Sequence, residues 1–135
     1  YDSLKAVVRA RAYTKYIHVK TNLLSDNIMF YFRVEGYQYN YGVNKAVRGG
    51  YTYNSSVIAE HNEVPYNSNA SFTIGDFYRS TTGSTTGFLC MRIDVHQTGY
   101  TEGELGIFFG AFSSTVQDSL QITDMQHRDD GNAAY

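Results

Sequence analysis

Cysteine, proline and tryptophan are nearly absent from this 135-residue sequence, which has one Cys, one Pro and no Trp. A single cysteine excludes disulfides within the chain. Cys90 lies in the run FLCMRIDV, where we expect it to be a buried packing residue rather than a nucleophile. No apolar run is long enough for a transmembrane helix, and the chain opens without the pattern of a secretory signal, so neither membrane insertion nor secretion is predicted.

An excess of charge of one sign is also missing. Lys and Arg number 11 against 13 Asp and Glu, so the formal net charge is −2. Without a concentrated basic patch to neutralise phosphates, we expect no nucleic-acid partner. The length fits a single domain over residues 1–135. The first residue is Tyr1 rather than Met, which suggests a domain of a longer polypeptide.

Tyrosine, phenylalanine and turn-forming residues are abundant instead, with aromatic residues making up 16% of the chain. Apolar residues alternate with polar ones in several short runs, the pattern of half-buried strands. These runs span residues 16–20, 28–35, 71–77, 88–95, 105–112 and 119–123. No longer segment keeps a helical apolar stripe. The sequence therefore predicts an all-β domain of eight or nine short strands, an antiparallel β-sandwich of the jelly-roll kind.

The two ends of the chain lie outside this pattern. Residues 1–13, with LKAVVRARAY at 4–13, are a possible connection to an upstream part of a longer polypeptide, a subunit interface or a local addition. Residues 127–135, HRDDGNAAY, read as a polar tail outside the core.

The motifs GYQYN at 36–40 and GYTYN at 50–54 are nearly identical. If residues 41–50 close a hairpin centred near Lys45, Tyr37 faces Tyr53 and Tyr39 faces Tyr51, with all four rings on one face. We interpret them as a cross-strand tyrosine ladder or part of a subunit interface, in preference to direct ligand contacts. Gly36 and Gly50 would then mark bends or bulges where the strands begin.

Groups that carry chemistry are scattered. The four histidines (His18, His61, His96 and His127) are far apart, although EHNE (60–63) and DVH (94–96) each offer potential metal ligands. Polysaccharide-cleaving enzymes use paired carboxylates, and the candidate pairs in this sequence are Glu60 with Glu63, Glu102 with Glu104, and Asp129 with Asp130. All fall in predicted turns or in the tail, where solvated carboxylates are usual. We therefore expect a binding protein without catalytic residues, metal or cofactor.

Tyrosines in predicted loops are the best candidates for binding, because a loop on a rigid sandwich presents an apolar ring with a polar hydroxyl. The candidate residues are Tyr66, Asn67, Tyr78, Arg79, Tyr100 and Glu102. The alternative is that these tyrosines only cover the rims of the core.

Several segments also resemble a known family. YIHVKTNLLSDNIMFYFRVEGYQYNYG (16–42), GYTYN, GFLCMRIDV (87–95) and GELGIFFGAF (103–112) follow one another as in head domains at the distal end of bacteriophage tail fibres. The resemblance implies a β-sandwich that forms a homotrimer and attaches the virion to a bacterial surface glycan or outer-membrane protein. It also implies a place in the virion after assembly in the host cytoplasm. It carries no receptor-site residues onto this chain.

Three other functions stay open at this stage. A carbohydrate-binding module of a secreted bacterial enzyme would be a monomer with an exposed tyrosine strip. A depolymerase fragment would need two carboxylates facing one groove. A structural trimerisation domain of the virion would have no receptor of its own.

Overall fold

A computed structural model describes residues 3–10, 15–24, 29–38, 41–53, 56–59, 73–80, 87–95, 103–112 and 120–135. These ranges contain strands and no helix, as the alternation predicted, and hence no helix that could cross a membrane. The strands are β1 (Ser3–Ala10), β2 (Tyr16–Leu24), β3 (Met29–Gln38), β4 (Tyr41–Tyr53), β5 (Ser56–Ala59), β6 (Thr73–Arg79), β7 (Phe88–Asp94), β8 (Gly103–Ala111) and β9 (Ile122–Arg128).

The described strands form two antiparallel sheets. Sheet A has the order β1-β8-β3-β4-β5 and sheet B the order β6-β7-β2-β9. Neighbours in each sheet are mostly distant in sequence: β1 pairs with β8, and β2 lies between β7 and β9. The all-β class and the antiparallel pairing predicted from the sequence are therefore confirmed.

The core lies between the sheets and follows the period of two. Phe30, Phe32 and Val34 of β3 are fully buried, as the run IMFYFRVE predicted. Phe32 stacks on Phe109 of β8 with ring centroids 4.5 Å apart, and Phe77 of sheet B lies 5.5 Å from Phe32. Burying one such side chain contributes roughly 1.5–3 kcal/mol. The alternating apolar residues of both sheets thus form one shared core.

The hairpin predicted for the two tyrosine motifs is wrong. Gln38 pairs with Tyr41, so the chain reverses between these residues and not near Lys45. Tyr37 consequently pairs with Gly42, whereas Tyr51 pairs with Met29 and Tyr53 with Ser56. The facing ladder of Tyr37 with Tyr53 and Tyr39 with Tyr51 does not form, and Tyr39 itself lies outside the described residues.

The physical reason lies in residues 41–50, which were predicted to form the connecting loop. Val43, Ala46 and Val47 of this segment are buried, and Val47 pairs with Phe32 in the core. Burial of these side chains outweighs the turn preference of the neighbouring Asn, Lys and Gly residues. The register of β4 shifts next to Gly50, as expected of a bulge, whereas Gly36 is paired within β3 and marks no strand entry.

Both ends of the chain belong to the folded unit. Residues 3–10, left outside the pattern, form β1, in which a register shift between Leu4 and Ala6 breaks the alternation. Strand β9 extends to Arg128, beyond the predicted end at residue 123. The following residues, 129–135, lie against sheet B on the face turned away from the core. We call them the C-terminal segment.

Candidate functional site

The outer face of sheet B carries the largest group of interacting polar side chains in the described part of the chain. Because Ile17 and Val19 point into the core, their neighbours in β2 point outward. The members of this group, which we call the covered face, are Tyr16, His18 and Lys20 of β2, Tyr78 of β6, and Cys90 and Arg92 of β7. They are brought side by side by pairing of β2 and β6 with β7.

Tyr78 connects the covered face to the C-terminal segment. Its hydroxyl oxygen lies 3.0 Å from His18 Nδ1 and accepts a hydrogen bond of 3.1 Å from the backbone N–H of Ala134. The rings of His18 and Tyr78 meet edge to face, with centroids 6.0 Å apart. Burial raises the pKa of the Tyr78 phenol. The hydroxyl therefore keeps its proton and can donate it to the imidazole.

Arg92 holds the same segment from the other side. Its Nη1 donates to the carbonyl oxygen of Gly131 at 2.9 Å, while Nε and Nη2 form a bidentate pair with Asp94 at 2.5 and 3.0 Å. The guanidinium also lies 5.4 Å from the centre of the Tyr16 ring and 3.4 Å from Asp76. The hydrogen bonds to Asp94 raise the pKa of Arg92. One side chain thus joins β7, β6, β2 and the C-terminal segment.

Cys90 is buried, as predicted, but on the covered face rather than between the sheets. It pairs with both Lys20 and Tyr78 across the strands. Burial raises the pKa of its thiol to about 12, which makes the thiolate scarce at neutral pH. Tyr135 covers this end of the face, with its ring 5.8 Å from Lys20 Nζ, and burial together with the nearby Asp124 raises its pKa.

His18 is fully buried, although the alternation in YIHVK placed it on a polar outer face. Burial lowers the pKa of its imidazole, and the positive charges of Arg128 and Arg92 act in the same direction. The nearby backbone of Asp130 acts in the opposite sense, although Nε2 of His18 has no hydrogen-bond partner of ordinary geometry among the described residues. The net result is a histidine that is neutral beneath the C-terminal segment at neutral pH.

The outer face of sheet A has a different character, because large apolar side chains point into solvent there. Val7 is 59% exposed and Phe112 is 66% exposed. We call this surface the apolar face; its described members are Leu4, Val7, Met29, Phe108 and Phe112. Scattered apolar residues are common on protein surfaces, but a group on one sheet face is typical of a contact surface.

Glycine keeps this apolar face continuous. A side chain at Gly106 would approach Leu4 Cδ1 at 3.1 Å and Phe108 at 3.3 Å, so these two residues close over the glycine. Farther along β8, the Tyr31 ring lies directly against Gly110 and contacts Phe112, with centroids 5.5 Å apart. The apolar face therefore extends from Leu4 of β1 across Gly106 and along β8 to Phe112.

Charged residues of both signs interrupt the apolar face. Arg33 forms an ion pair of 2.7 Å with Glu35 and stacks on Phe108, 4.2 Å from its ring centre. Arg9 of β1 pairs in register with Glu104 of β8. The surface thus combines exposed apolar groups with balanced charge.

The residues proposed from the sequence are not brought together in the described part of the chain. Tyr78 lies beneath the C-terminal segment, and Arg79 follows it as a half-buried residue of β6. Tyr66, Asn67, Tyr100 and Glu102 lie outside the described residues. Tyr37 is 48% exposed at the end of β3. His18 and Arg92, which were not singled out, are detectable only as outward positions of the alternating runs.

Metal ligands do not converge in the described ranges, where no three His, Cys, Asp or Glu side chains are grouped closely enough to hold an ion. The segments EHNE (60–63) and the His96 end of DVH lie outside these ranges. Searches of protein-family models, curated proteins and solved structures found no match to this chain.

Proposed function

We propose that this chain is the receptor-binding head of a bacteriophage tail fibre, a jelly-roll-like sandwich that assembles as a homotrimer. It attaches the virion to a glycan or an outer-membrane protein of the host bacterium, without an enzymatic reaction. The observation that carries this proposal is the apolar face of sheet A. The resemblance of several sequence segments, in their order, to tail-fibre heads is a second reason for it.

The apolar face supports contact with further copies of the chain for two reasons. Val7 and Phe112 are each more than half exposed, which is costly in water unless another surface covers them. The face also carries both members of the Arg33–Glu35 pair, so copies of the chain packed around a three-fold axis have opposite charges available to each other. A partner of strong single charge would leave one member unmatched.

Receptor contact belongs, in this proposal, to loops rather than to the covered face. Tyr78 is already engaged by His18 and Ala134, so its ring and hydroxyl are not open to a receptor while the C-terminal segment is in place. The segments that carry Tyr66 with Asn67, and Tyr100 with Glu102, remain the candidates for this role.

The mass of the purified protein in solution tests the assembly. We expect sedimentation equilibrium at micromolar concentration to give three times the 15.3 kDa chain mass. Val7→Lys places a charge on the apolar face and should shift the protein to monomer, because an unpaired charge is costly to bury. Gln121→Lys adds the same charge at an exposed site before β9 and should stay trimeric. A monomeric wild-type protein would remove the trimer from the proposal.

Binding to cells tests the adhesive function separately. The fluorescently labelled trimer should bind saturably to at least one strain in a panel of intact bacteria and be displaced by unlabelled trimer. Glycan-array binding by a monomer would favour a carbohydrate-binding module instead. Release of oligosaccharides from surface polysaccharide would favour a depolymerase. A trimer that binds no cell would favour a structural role.

A further inference from the structure

The C-terminal segment is attached to sheet B in an unusual way. Two side chains of the sheet hold its backbone: Arg92 donates to the carbonyl of Gly131, and Tyr78 accepts from the N–H of Ala134. Residues 129–135 are not assigned to a strand. Its other contacts also involve side chains, with Asp130 3.5 Å from Arg128 and the Tyr135 ring near Lys20 and Asp124, so the segment can separate from the sheet without breaking a strand ladder or opening the core.

His18 lies where one anchor is made. A backbone N–H only donates, so the Tyr78 oxygen accepts from Ala134, and its own hydrogen is available for His18 Nδ1 at 3.0 Å. With Nδ1 accepting, the ring is neutral and carries its proton on Nε2, which is buried without a hydrogen-bond partner among the described residues. A second proton on Nδ1 removes that acceptor, so the hydroxyl of the half-buried Tyr78 has to turn its hydrogen away from His18.

The charges around His18 add to this effect. Charged or titratable groups face it from each strand of sheet B and from the segment: Tyr16 and Lys20 of β2, Asp76 and Tyr78 of β6, Cys90, Arg92 and Asp94 of β7, Asp124 and Arg128 of β9, and Asp130 and Tyr135. Arg92 and Arg128 oppose a positive imidazole, whereas Asp130 favours it. Burial is the largest influence and also disfavours the charged ring.

We propose that the C-terminal segment is an acid-released cover over the outer face of sheet B, closed while His18 is neutral and opened when His18 is protonated. Opening relieves the charged imidazole of its burial and exposes the rings of Tyr16 and Tyr78 and the guanidinium of Arg92. An aromatic and cationic surface that is hidden at neutral pH thus becomes accessible. The inference does not depend on the proposed function.

Cys90 provides the measurement because it is the single cysteine of the chain and is fully buried on the covered face. Its rate of reaction with 4,4′-dithiodipyridine reports how often the cover opens. At each pH the rate is divided by that of His18→Gln, which removes the intrinsic pH dependence of the thiol reaction. With the ordinary histidine pKa of 6.5 in the open state, we expect this ratio to increase by up to about fivefold between pH 6.5 and 5.5.

Two variants make the experiment specific. His127→Gln removes an exposed histidine of the neighbouring strand β9 and should leave the acid acceleration unchanged. Tyr78→Phe keeps the ring and removes the hydroxyl that anchors Ala134. It should react rapidly already at pH 7.5 and respond little to acid. Circular dichroism confirms that each variant retains its strands.

Three results would overturn the inference. A ratio that does not change between pH 7.5 and 5.5 would show that protonation of His18 does not open the cover. Loss of the acid acceleration in His127→Gln would show that protonation of His127, and not of His18, opens the cover. Slow labelling of Tyr78→Phe at pH 7.5 would mean that the hydroxyl does not hold the segment.

Discussion

Arg92 is the residue on which the covered face depends most. Its bidentate pair with Asp94 is largely shielded from water, since Asp94 is only 8% exposed, and its remaining N–H groups reach Gly131 and Asp76. Hydrogen bonds of this kind between charged groups are stronger than neutral ones. Removing the arginine therefore leaves a nearly buried carboxylate without its main partner.

We expect Arg92→Gln to lower the free energy of unfolding by about 2–4 kcal/mol, measured by urea denaturation. Arg33→Gln is the matched control, because Arg33 forms its ion pair with Glu35 on a partly exposed surface. This control should lose about 1 kcal/mol or less. Equal losses in the two variants would contradict the structural role assigned to Arg92.

At the scale of elements, the hairpin of β3 and β4 explains where sequence reasoning failed. Val43 and Val47 are buried strand residues, yet the Gly, Asn and Lys residues beside them favoured a loop. The symmetry of the two tyrosine motifs pointed to a hairpin centre near Lys45, while side-chain burial moved it to the residues between Gln38 and Tyr41. Local composition cannot decide between these alternatives, because Val43 and Val47 of β4 are buried in a core that they share with sheet B.

The register of this hairpin can be tested with introduced disulfides. Glu35→Cys with Asn44→Cys should form a bridge on oxidation, because these residues pair directly across β3 and β4. Tyr37→Cys with Tyr53→Cys should not, since Tyr51 pairs with Met29, eight strand positions from Tyr37 and thus roughly 27 Å away. Mass spectrometry of unreduced peptides detects either bridge. A bridge in the second pair alone would restore the hairpin centred near Lys45.

At the scale of the whole molecule, the fold class was predictable and the edges of the domain were not. Alternation correctly identified the core residues of β3, β7 and β8, because both sheets bury one face. β1 was missed because Val7 and Val8 are adjacent and a register shift follows Leu4. The covered face was missed because its cover, the C-terminal segment DDGNAAY (129–135), has no apolar pattern. Its polar backbone contacts leave no periodic signal in the sequence.

The pKa shifts predict a stability plateau between about pH 6.5 and 9. The pKa of His18 is lowered from 6.5 in the folded protein. Its contribution to the free energy of unfolding is therefore present above pH 6.5 and is lost at lower pH, because the unfolded chain binds the proton more readily than the folded one. The pKa of Cys90 is raised from 9.0 to about 12, so its contribution is present below pH 9 and is lost as the unfolded thiol ionises at higher pH. Tyr78 and Tyr135 act in the same direction as Cys90.

Urea unfolding midpoints between pH 5 and 11 check this plateau. We expect Cys90→Ala to reduce the loss above pH 9 and His18→Gln to reduce the loss below pH 6.5. A free energy of unfolding that increases from pH 9 to 11 would contradict the predicted loss at alkaline pH. An unchanged loss below pH 6.5 in His18→Gln would contradict the predicted role of His18.

The pairing of β1 with β8 also imposes an order on folding during synthesis. Strands β3, β4 and β5 are neighbours in both sequence and space and can pair as soon as they emerge from the ribosome. β1 is made first, but its partner Gly103–Ala111 is made among the last strands, and β2 likewise waits for β7 and β9. Pairing over such sequence separations is slow and leaves apolar strands open to aggregation. β1 therefore stays unpaired until Gly103–Ala111 has been translated.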